Sequence, residues 1–216
     1  MKRTLIVANG ELDTGTAARI RADVWDEVIA VDGGALHCHG MGIVPDVVIG
    51  DLDSIPDAIR EAFEKACVPF ERHPAAKSET DLELALDRAL ERGAGSLVLT
   101  GVLGGRIDMT LANLLLLAHP RLQDVAAEIW HERTTAWLLR PPGRELQGRP
   151  GDTVSLIPVH GDAFGVVTDG LHYPLRDETL RFAHGRGVSN VLSNAQGCVR
   201  LREGLLLVVH AAGQAL

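Results

Sequence analysis

The chain has 216 residues, 46% of them hydrophobic and 23% charged, a composition typical of a globular protein with one large or two small domains. Its formal net charge of -8 argues against a general affinity for nucleic acid or anionic membranes. No apolar run approaches the roughly 20 residues of a membrane-spanning helix, so we expect no membrane association. Three widely spaced cysteines show neither disulfide nor metal-site spacing, which favours a reducing, cytoplasmic setting.

The first half of the chain alternates predicted strands with predicted helices. Ser54 is the predicted N-cap of one helix, and Thr80 with Glu83 forms a capping box before another. Strands separated by helices are typical of an α/β fold with a doubly wound parallel sheet. The strands are predicted at 5–8, 27–31, 47–49 and 96–100, and the helices at 16–22, 55–67, 81–92 and 108–118.

The second half changes character from about Val125, where the helical period fades and short β-rich runs follow one another. Turn residues cluster between the runs, and 140–143 is itself predicted as a turn. This pattern predicts a small antiparallel sandwich or barrel, so we expect an α/β domain over 1–122 and a β domain over 123–216. The strands are predicted at 126–131, 134–139, 153–158, 165–168, 188–192, 199–201 and 205–210.

Two aspartates, Asp51 and Asp53, follow the apolar run 47–49. In an open α/β sheet, ligands bind beyond the carboxyl ends of the strands. If the segment stays extended, both carboxylates point to the same side, where they repel each other unless a cation lies between them. Mg²⁺ prefers such oxygen ligands and often bridges to phosphate; the alternative is a solvated turn that leads into a helix cap.

Further polar clusters stand at predicted strand and helix ends. Asp32-Gly33-Gly34 is either a tight turn or a place where backbone approaches an anion closely. Lys77 and Asp81 bracket a helix N-terminus, which attracts phosphate, although each residue alone also fits a surface or capping role.

A glycine-rich loop, Gly104-Gly105-Arg106, precedes the helix 108–118 and carries an arginine that can grip phosphate in a bidentate way. Asp108 either caps that helix or binds metal, and the loop is neither a P-loop nor a dinucleotide fingerprint. Together the segments predict a magnesium-dependent phosphoryl or pyrophosphoryl transfer site. Near the C-terminus, Ser189 and Asn190 could bind a polar heterocycle on which Tyr173 or Phe182 stacks; turn chemistry with core aromatics is the alternative.

In order and spacing, these segments resemble the thiamine pyrophosphokinase family. The resemblance implies an ATP- and Mg²⁺-binding α/β domain, a thiamine-binding β domain, and a homodimer that transfers pyrophosphate from ATP to thiamine to give thiamine diphosphate and AMP. The matching segments are Asp32-Gly33-Gly34-Ala35, Pro45-Asp46, Gly50-Asp51-Leu52-Asp53-Ser54, Lys77 with Thr80-Asp81, Glu83-Leu84-Ala85, Gly104-Gly105-Arg106-Ile107-Asp108, Leu111-Ala112-Asn113, Gly170-Leu171, Tyr173-Pro174-Leu175 and Ser189-Asn190.

The resemblance also implies roles for individual residues. Asp51, Asp53 and Asp81 would hold Mg²⁺, and Asp108 would join them or orient the reacting groups. The groups implied to contact ATP are Asp32, Gly33, Gly34, Lys77, Thr80, Gly104, Gly105, Arg106 and Asn113, with Lys77 and Arg106 stabilising phosphate charge. Ser189, Asn190 and Tyr173 would hold thiamine where the β domain of one subunit meets the α/β domain of the other.

Two positions depart from the family pattern. Met109 stands where the family usually has His, and a thioether cannot donate a hydrogen bond or act as an acid or base. Val191 stands where an acidic residue often follows the Ser-Asn pair. Other interpretations stay open: 51–53 also matches the Asp-x-Asp signature of metal-dependent nucleotide-sugar transferases, and Met109 allows a non-catalytic thiamine- or nucleotide-binding protein.

Overall fold

A computed structural model describes residues 1–73 and 78–213. The chain forms two compact units, Met1–Glu132 and Arg133–Leu216. The division lies later than the predicted boundary between residues 122 and 123. The reason is that the segment 126–131, expected to belong to the antiparallel part, pairs in parallel with 94–100 in the first unit.

The first unit is built on a parallel sheet. The strand order is β6-β5-β1-β2-β3-β4, and every neighbouring pair in it runs parallel, as predicted for a doubly wound sheet. The order reverses at β1, which lies between β2 and β5. The strands are β1 (Lys2–Val7), β2 (Glu27–Val31), β3 (Val47–Gly50), β4 (Phe70–Arg72), β5 (Ala94–Thr100) and β6 (Ala126–His131); the helices are α1 (Thr14–Arg21), α2 (Gly34–Met41), α3 (Asp57–Lys65), α4 (Asp81–Glu91) and α5 (Ile107–Leu116), followed by a short 3-10 turn, Pro120–Leu122.

Burial explains why the central strands are apolar throughout. All residues of β2 and β3 are buried, as expected for parallel strands covered on both faces. The capping box of Thr80 and Glu83 at the start of α4 is confirmed. Ser54 is not the N-cap of α3; Pro56 takes that position, and the helix begins at Asp57. Within the described ranges, no helix has the length and apolarity needed to cross a bilayer.

Two elements of the first unit were not predicted from the sequence. Helix α2 contains two glycines and shows almost no apolar periodicity. It begins there because Gly34 packs directly on β1: a Cβ at this position would lie 2.0 Å from the carbonyl oxygen of Val7. Strand β4 has only three residues, which is too short for a sequence pattern.

The second unit is an antiparallel sandwich, as predicted. Its two sheets have the strand orders β12-β9-β14-β7 and β11-β10-β13-β8, and they share one apolar core. Strand β9 alternates half-buried and buried residues, the pattern of a strand with one face toward a core. The strands are β7 (Thr134–Leu139), β8 (Gly143–Gln147), β9 (Thr153–Pro158), β10 (Ala163–Asp169), β11 (Arg176–Leu180), β12 (Asn190–Val191), β13 (Gln196–Arg200) and β14 (Leu206–Ala211).

Strands β8 and β11 were missed because they carry charged residues in succession. Gly143, expected to be the end of a turn, is the first residue of β8 and pairs with Arg200. In both strands, pairing with a neighbouring strand outweighs the weak β propensity of acidic residues.

Candidate active site

A cleft of about 530 Å³ opens at the carboxyl edge of the parallel sheet. It lies at the point where the strand order reverses, because the segments that follow the neighbouring strands β1 and β5 both line it. Segments after β2 and β3 and the start of α4 complete it. The lining residues are Ala8, Asn9, Gly10, Val31, Asp32, Asp51, Asp53, Ser54, Glu79, Thr80, Asp81, Leu82, Gly101, Val102, Leu103, Gly104, Gly105, Arg106, Met109, Thr110 and Asn113.

The predicted acidic residues meet in this cleft. Asp51, Asp53 and Asp81 all line it, although Asp81 lies about thirty positions further along the chain, and Asp32 lies beside them. Gly50 makes this approach possible: a Cβ there would lie 1.6 Å from the Asp32 Oδ1 atom, and its φ of 147° suits glycine alone.

Mutual repulsion of the carboxylates is the main electrostatic feature of the cleft. Burial, together with the negative charge of Asp81 and a side-chain hydrogen bond to it, raises the pKa of Asp32 to about 6. A side-chain hydrogen bond to Asp51 and the charge of that residue raise the pKa of Asp53. Each pair of carboxylates is therefore stabilised by a shared proton, or by a cation that takes the place of the proton.

These residues fit a magnesium ion that arrives with phosphates. Among residues 1–73 and 78–213, no three acidic, histidine or cysteine side chains converge into a preformed metal cage. Mg²⁺ does not require one, because it keeps several waters and commonly takes one or two protein carboxylates together with substrate phosphate oxygens. The raised pKa values of Asp32 and Asp53 show a surplus of negative charge that a divalent cation would relieve.

The glycine-rich loop places one cation at the cleft. Arg106 precedes α5 and forms a bidentate pair with Asp108, with Nη2 2.5 Å from Oδ2 and Nε 3.2 Å from Oδ1. Asp108 lies outside the lining, and its hydrogen bonds with Arg106 hold its pKa below the ordinary value. Backbone N–H groups at the start of α5, those of Asp108 and Met109, also hydrogen-bond this carboxylate, so it serves both Arg106 and the helix end.

The other residues of the predicted ATP site differ in where they lie relative to the cleft. Asn113 is buried at the cleft wall, and its Nδ2 donates to the Val102 carbonyl oxygen at 2.6 Å, which anchors the glycine-rich loop. Gly104, Gly105 and Thr80 line the cleft, whereas Gly33 and Gly34 form the start of α2 and do not line it. Lys77 lies outside the described residues. Met109 lines the cleft with 36% of its surface exposed.

The predicted thiamine residues cluster in the second unit. The amide of buried Asn190 is used on backbone: Nδ2 donates to the Tyr173 carbonyl oxygen at 2.7 Å, and Oδ1 accepts from the Tyr173 N–H at 3.0 Å. Ser189 has a left-handed φ of 59°, and its N–H donates to Ser155 Oγ at 3.0 Å. The Tyr173 ring is more than half exposed and packs edge-on against His172. Asn190 therefore holds Tyr173 in place.

Sequence reasoning missed several residues of the cleft. Asn9, Gly10 and Thr110 line it. The Asn-Gly pair shortly after β1 was the sequence signal that could have indicated the first two. Arg72 has no such signal; it pairs with Gly50 across β4 and β3, and its charge acts on Asp53. Only the pairing of β3 with the short strand β4 brings this cation near the acidic pair.

Two family models match the chain. One is described as thiamin pyrophosphokinase, catalytic domain, and covers residues 22–129; the other, thiamin pyrophosphokinase, vitamin B1 binding domain, covers residues 144–206. The thiamine pyrophosphokinase of Bacillus subtilis is 28% identical over 212 residues, which span 98% of this chain and 99% of that protein.

Solved structures agree with this assignment. The crystal structure of thiamine pyrophosphokinase from Bacillus subtilis superimposes with a TM-score of 0.89 at 27% identity, covering 98% of this chain and 99% of that one. Thiamin pyrophosphokinase from Candida albicans reaches a TM-score of 0.82 at 14% identity, covering 98% and 89%, a likeness of fold alone. Since one family model matches half of the chain and the other most of its second unit, the chain belongs to the thiamin pyrophosphokinase family.

Proposed function

We propose that the protein transfers the pyrophosphoryl group of ATP to the hydroxyethyl group of thiamine, giving thiamine diphosphate and AMP. The observation that supports this most is the shared cleft of Asp51, Asp53 and Asp81 with the loop of Arg106, at the point where the strand order reverses. Membership of the family supports the choice of both substrates.

The proposed reaction is an in-line displacement. The thiamine hydroxyl oxygen attacks the β-phosphorus of ATP, and the bond from that phosphorus to the oxygen bridging to the α-phosphate breaks. AMP leaves with the bonding electron pair, and the hydroxyl proton passes to a base, for which the carboxylates of the cleft are the candidates. Asp51, Asp53 and Asp81 would hold Mg²⁺, which neutralises charge on the phosphate oxygens when bound.

Arg106 is proposed to bind the transferred phosphates. Both members of its pair with Asp108 are largely exposed, and exposed ion pairs are weak enough for a phosphate to compete. Asp108 would then orient the guanidinium and release it, in whole or in part, to the nucleotide. Arg106 lines the same cleft as Asp51 and Asp53, which supports this role.

Thiamine is proposed to bind through the second unit. The family model for vitamin B1 binding covers 144–206, which includes Ser189, Asn190 and Tyr173. The exposed Tyr173 ring offers a face on which a heterocycle can stack. Because the Asn190 amide is engaged with the Tyr173 backbone, its proposed role is to hold that ring in position.

We also propose a cytoplasmic homodimer. Helix α5 exposes three apolar side chains at helical spacing, Ile107, Leu111 and Leu115, which supports a contact with a second copy. The thiols of Cys38, Cys67 and Cys198 are free, as in proteins of a reducing compartment.

A product assay tests the proposed function. The purified protein is incubated with ATP, Mg²⁺ and thiamine, and AMP and thiamine diphosphate are quantified by chromatography, with EDTA or omission of thiamine as controls. We expect the two products in equal amounts and none in either control. Retained thiamine binding without AMP formation would contradict the proposal and leave a non-catalytic binding protein.

A further inference from the structure

Leu52, between the two aspartates of the proposed metal site, has a left-handed backbone. Its φ is 67°, although a branched, bulky residue seldom adopts this conformation. Such a conformation persists only where the surroundings determine it, and it is found preferentially at functional sites. What holds Leu52 in this conformation therefore bears on where Asp51 and Asp53 point.

Three contacts hold Leu52. Its side chain is buried in the apolar core of the first unit, with 8% of its surface exposed. Its N–H lies 3.4 Å from Oδ1 of Asp32, and its carbonyl oxygen accepts from Nη2 of Arg60 at 2.8 Å. With the leucine pointing into the core and both of its peptide groups engaged, the aspartates on either side are left to line the cleft.

The contact with Arg60 differs from the other two because Arg60 belongs neither to the apolar core nor to the cleft lining. It lies in α3, and its Nε is buried with no hydrogen-bond partner among residues 1–73 and 78–213. A buried N–H without a partner costs free energy. The hydrogen bond from Nη2 to the Leu52 carbonyl oxygen offsets part of that cost. The bonded carbonyl belongs to the residue between Asp51 and Asp53, whose carboxylates repel each other.

We propose that Arg60 is a positioning residue that sets the geometry of Asp51 and Asp53 for a divalent cation carried in with nucleotide phosphates. The inference rests on the proposed function, since it concerns the same metal site. It assigns a role to a residue that belongs to none of the chemistry-bearing sequence segments and acts only through the Leu52 carbonyl.

The test compares Arg60→Met with Arg60→Lys. Methionine keeps an apolar chain of similar length but cannot donate to the Leu52 carbonyl, whereas lysine keeps a cationic donor. Mn²⁺ binding is measured by electron paramagnetic resonance in the presence of α,β-methylene-ATP, which cannot be cleaved at the reacting bond. We expect Arg60→Met to weaken Mn²⁺ binding roughly three- to tenfold, as for loss of one hydrogen bond, and Arg60→Lys to restore most of it.

Arg88→Met is the matched control. Arg88 is also a helical arginine whose buried Nε has no hydrogen-bond partner in the described part of the chain, but it pairs with Glu71 and does not line the cleft. We expect it to lower the melting temperature as much as Arg60→Met while leaving Mn²⁺ affinity unchanged. If Arg60→Met does not fold, the shorter and uncharged Arg60→Gln takes its place, with weakened Mn²⁺ binding again expected.

Wild-type Mn²⁺ affinity in Arg60→Met or Arg60→Gln would overturn the inference, and so would equal weakening in Arg88→Met. Absence of Mn²⁺ binding in the wild-type protein would overturn it together with the metal site. A wild-type protein that binds Mn²⁺ and α,β-methylene-ATP but forms no AMP from ATP would refute the proposed activity alone, because the Mn²⁺ measurement requires no turnover. In the active enzyme, the KM for thiamine should stay unchanged in Arg60→Met while the Mg²⁺ requirement rises.

Discussion

At the scale of single residues, Asp53 combines an exposed position with a proposed role as a ligand. Its pKa is raised by the hydrogen bond and the negative charge of Asp51, so the folded protein bears a cost in holding the two carboxylates together. Because Asp53 is exposed and is repelled by the carboxylate of Asp51, it contributes little to the stability of the fold. Its presence is better explained by a cation that binds between the carboxylates.

We therefore expect Asp53→Asn to lower turnover by about 100-fold or more, as for loss of an electrostatic group at a reaction centre. The melting temperature should be unchanged or slightly higher, because the variant removes a like-charge contact. Steady-state assays of AMP release and thermal unfolding without ligands measure the two effects. Full activity in the variant would show that the metal assignment is wrong.

Met109 is the cleft residue at which this chain departs from the family pattern. It is partly exposed in the cleft near Thr110 and Asn113, where an imidazole could donate a hydrogen bond to nucleotide and a thioether cannot. We expect Met109→His to lower the KM for ATP with little change in stability. Unchanged ATP kinetics would identify the position as a packing site. Val44→His, at a residue that is 59% exposed and does not line the cleft, serves as the control.

At the scale of elements, the second unit is held together at one edge by a buried carboxylate. Oδ2 of Asp152 accepts from the Arg149 N–H at 2.8 Å and lies 3.0 Å from Nε2 of His210, while Oδ1 accepts from the Gly213 N–H at 2.9 Å. Burial alone would raise the pKa of Asp152, but these donors outweigh it and hold the pKa below its ordinary value of 3.8. The carboxylate thus joins the approach to β9 to the end of β14.

The depressed pKa gives this contact a defined pH dependence. Its stabilisation is present above the unfolded-state pKa of 3.8 and is lost as the pH falls through the lower folded-state value. We expect Asp152→Asn to reduce the free energy of unfolding by about 1–3 kcal/mol at pH 7. Urea unfolding measures the free energy of unfolding of both proteins at pH 7 and pH 3, and we expect a smaller difference between them at pH 3. An equal difference at both pH values would mean that the charge of Asp152 does not stabilise the fold.

At the scale of the whole molecule, α5 exposes an apolar face that supports the proposed contact with a second copy of the chain. Ile107, Leu111 and Leu115 are 86%, 59% and 46% exposed, and they stand four residues apart on one side of the helix. Single exposed apolar side chains are normal, whereas a row of them is typical of an interface.

We expect light scattering after size-exclusion chromatography to give twice the chain mass of 23.2 kDa. Leu111→Glu should shift the protein toward the monomer, because burying an unpaired carboxylate in an interface is strongly unfavourable. Val24→Glu, at an isolated residue that is 80% exposed, should leave the mass unchanged. A monomeric wild-type protein would contradict the dimer.

The parallel sheet and the acidic cleft were predictable because their signals are local. An apolar run such as 47–49 predicts a buried strand, and polar residues directly after it mark a ligand edge. The capping box of Thr80 and Glu83 was predictable for the same reason: its hydrogen bonds join residues three apart. The Ser54 cap was wrong, because the N-cap is Pro56 and the helix begins at Asp57.

The sequence by itself determined which segments carry the chemistry, since strand ends, glycine loops and helix caps depend on neighbouring residues. Only the tertiary structure decided the rest: that 126–131 joins the parallel sheet, that β4 brings the charge of Arg72 near Asp53, and that Arg60 bonds the Leu52 carbonyl. These contacts depend on which strands pair and which helix packs behind a loop. Their energies come from burial and hydrogen bonding between distant segments, which no local pattern encodes.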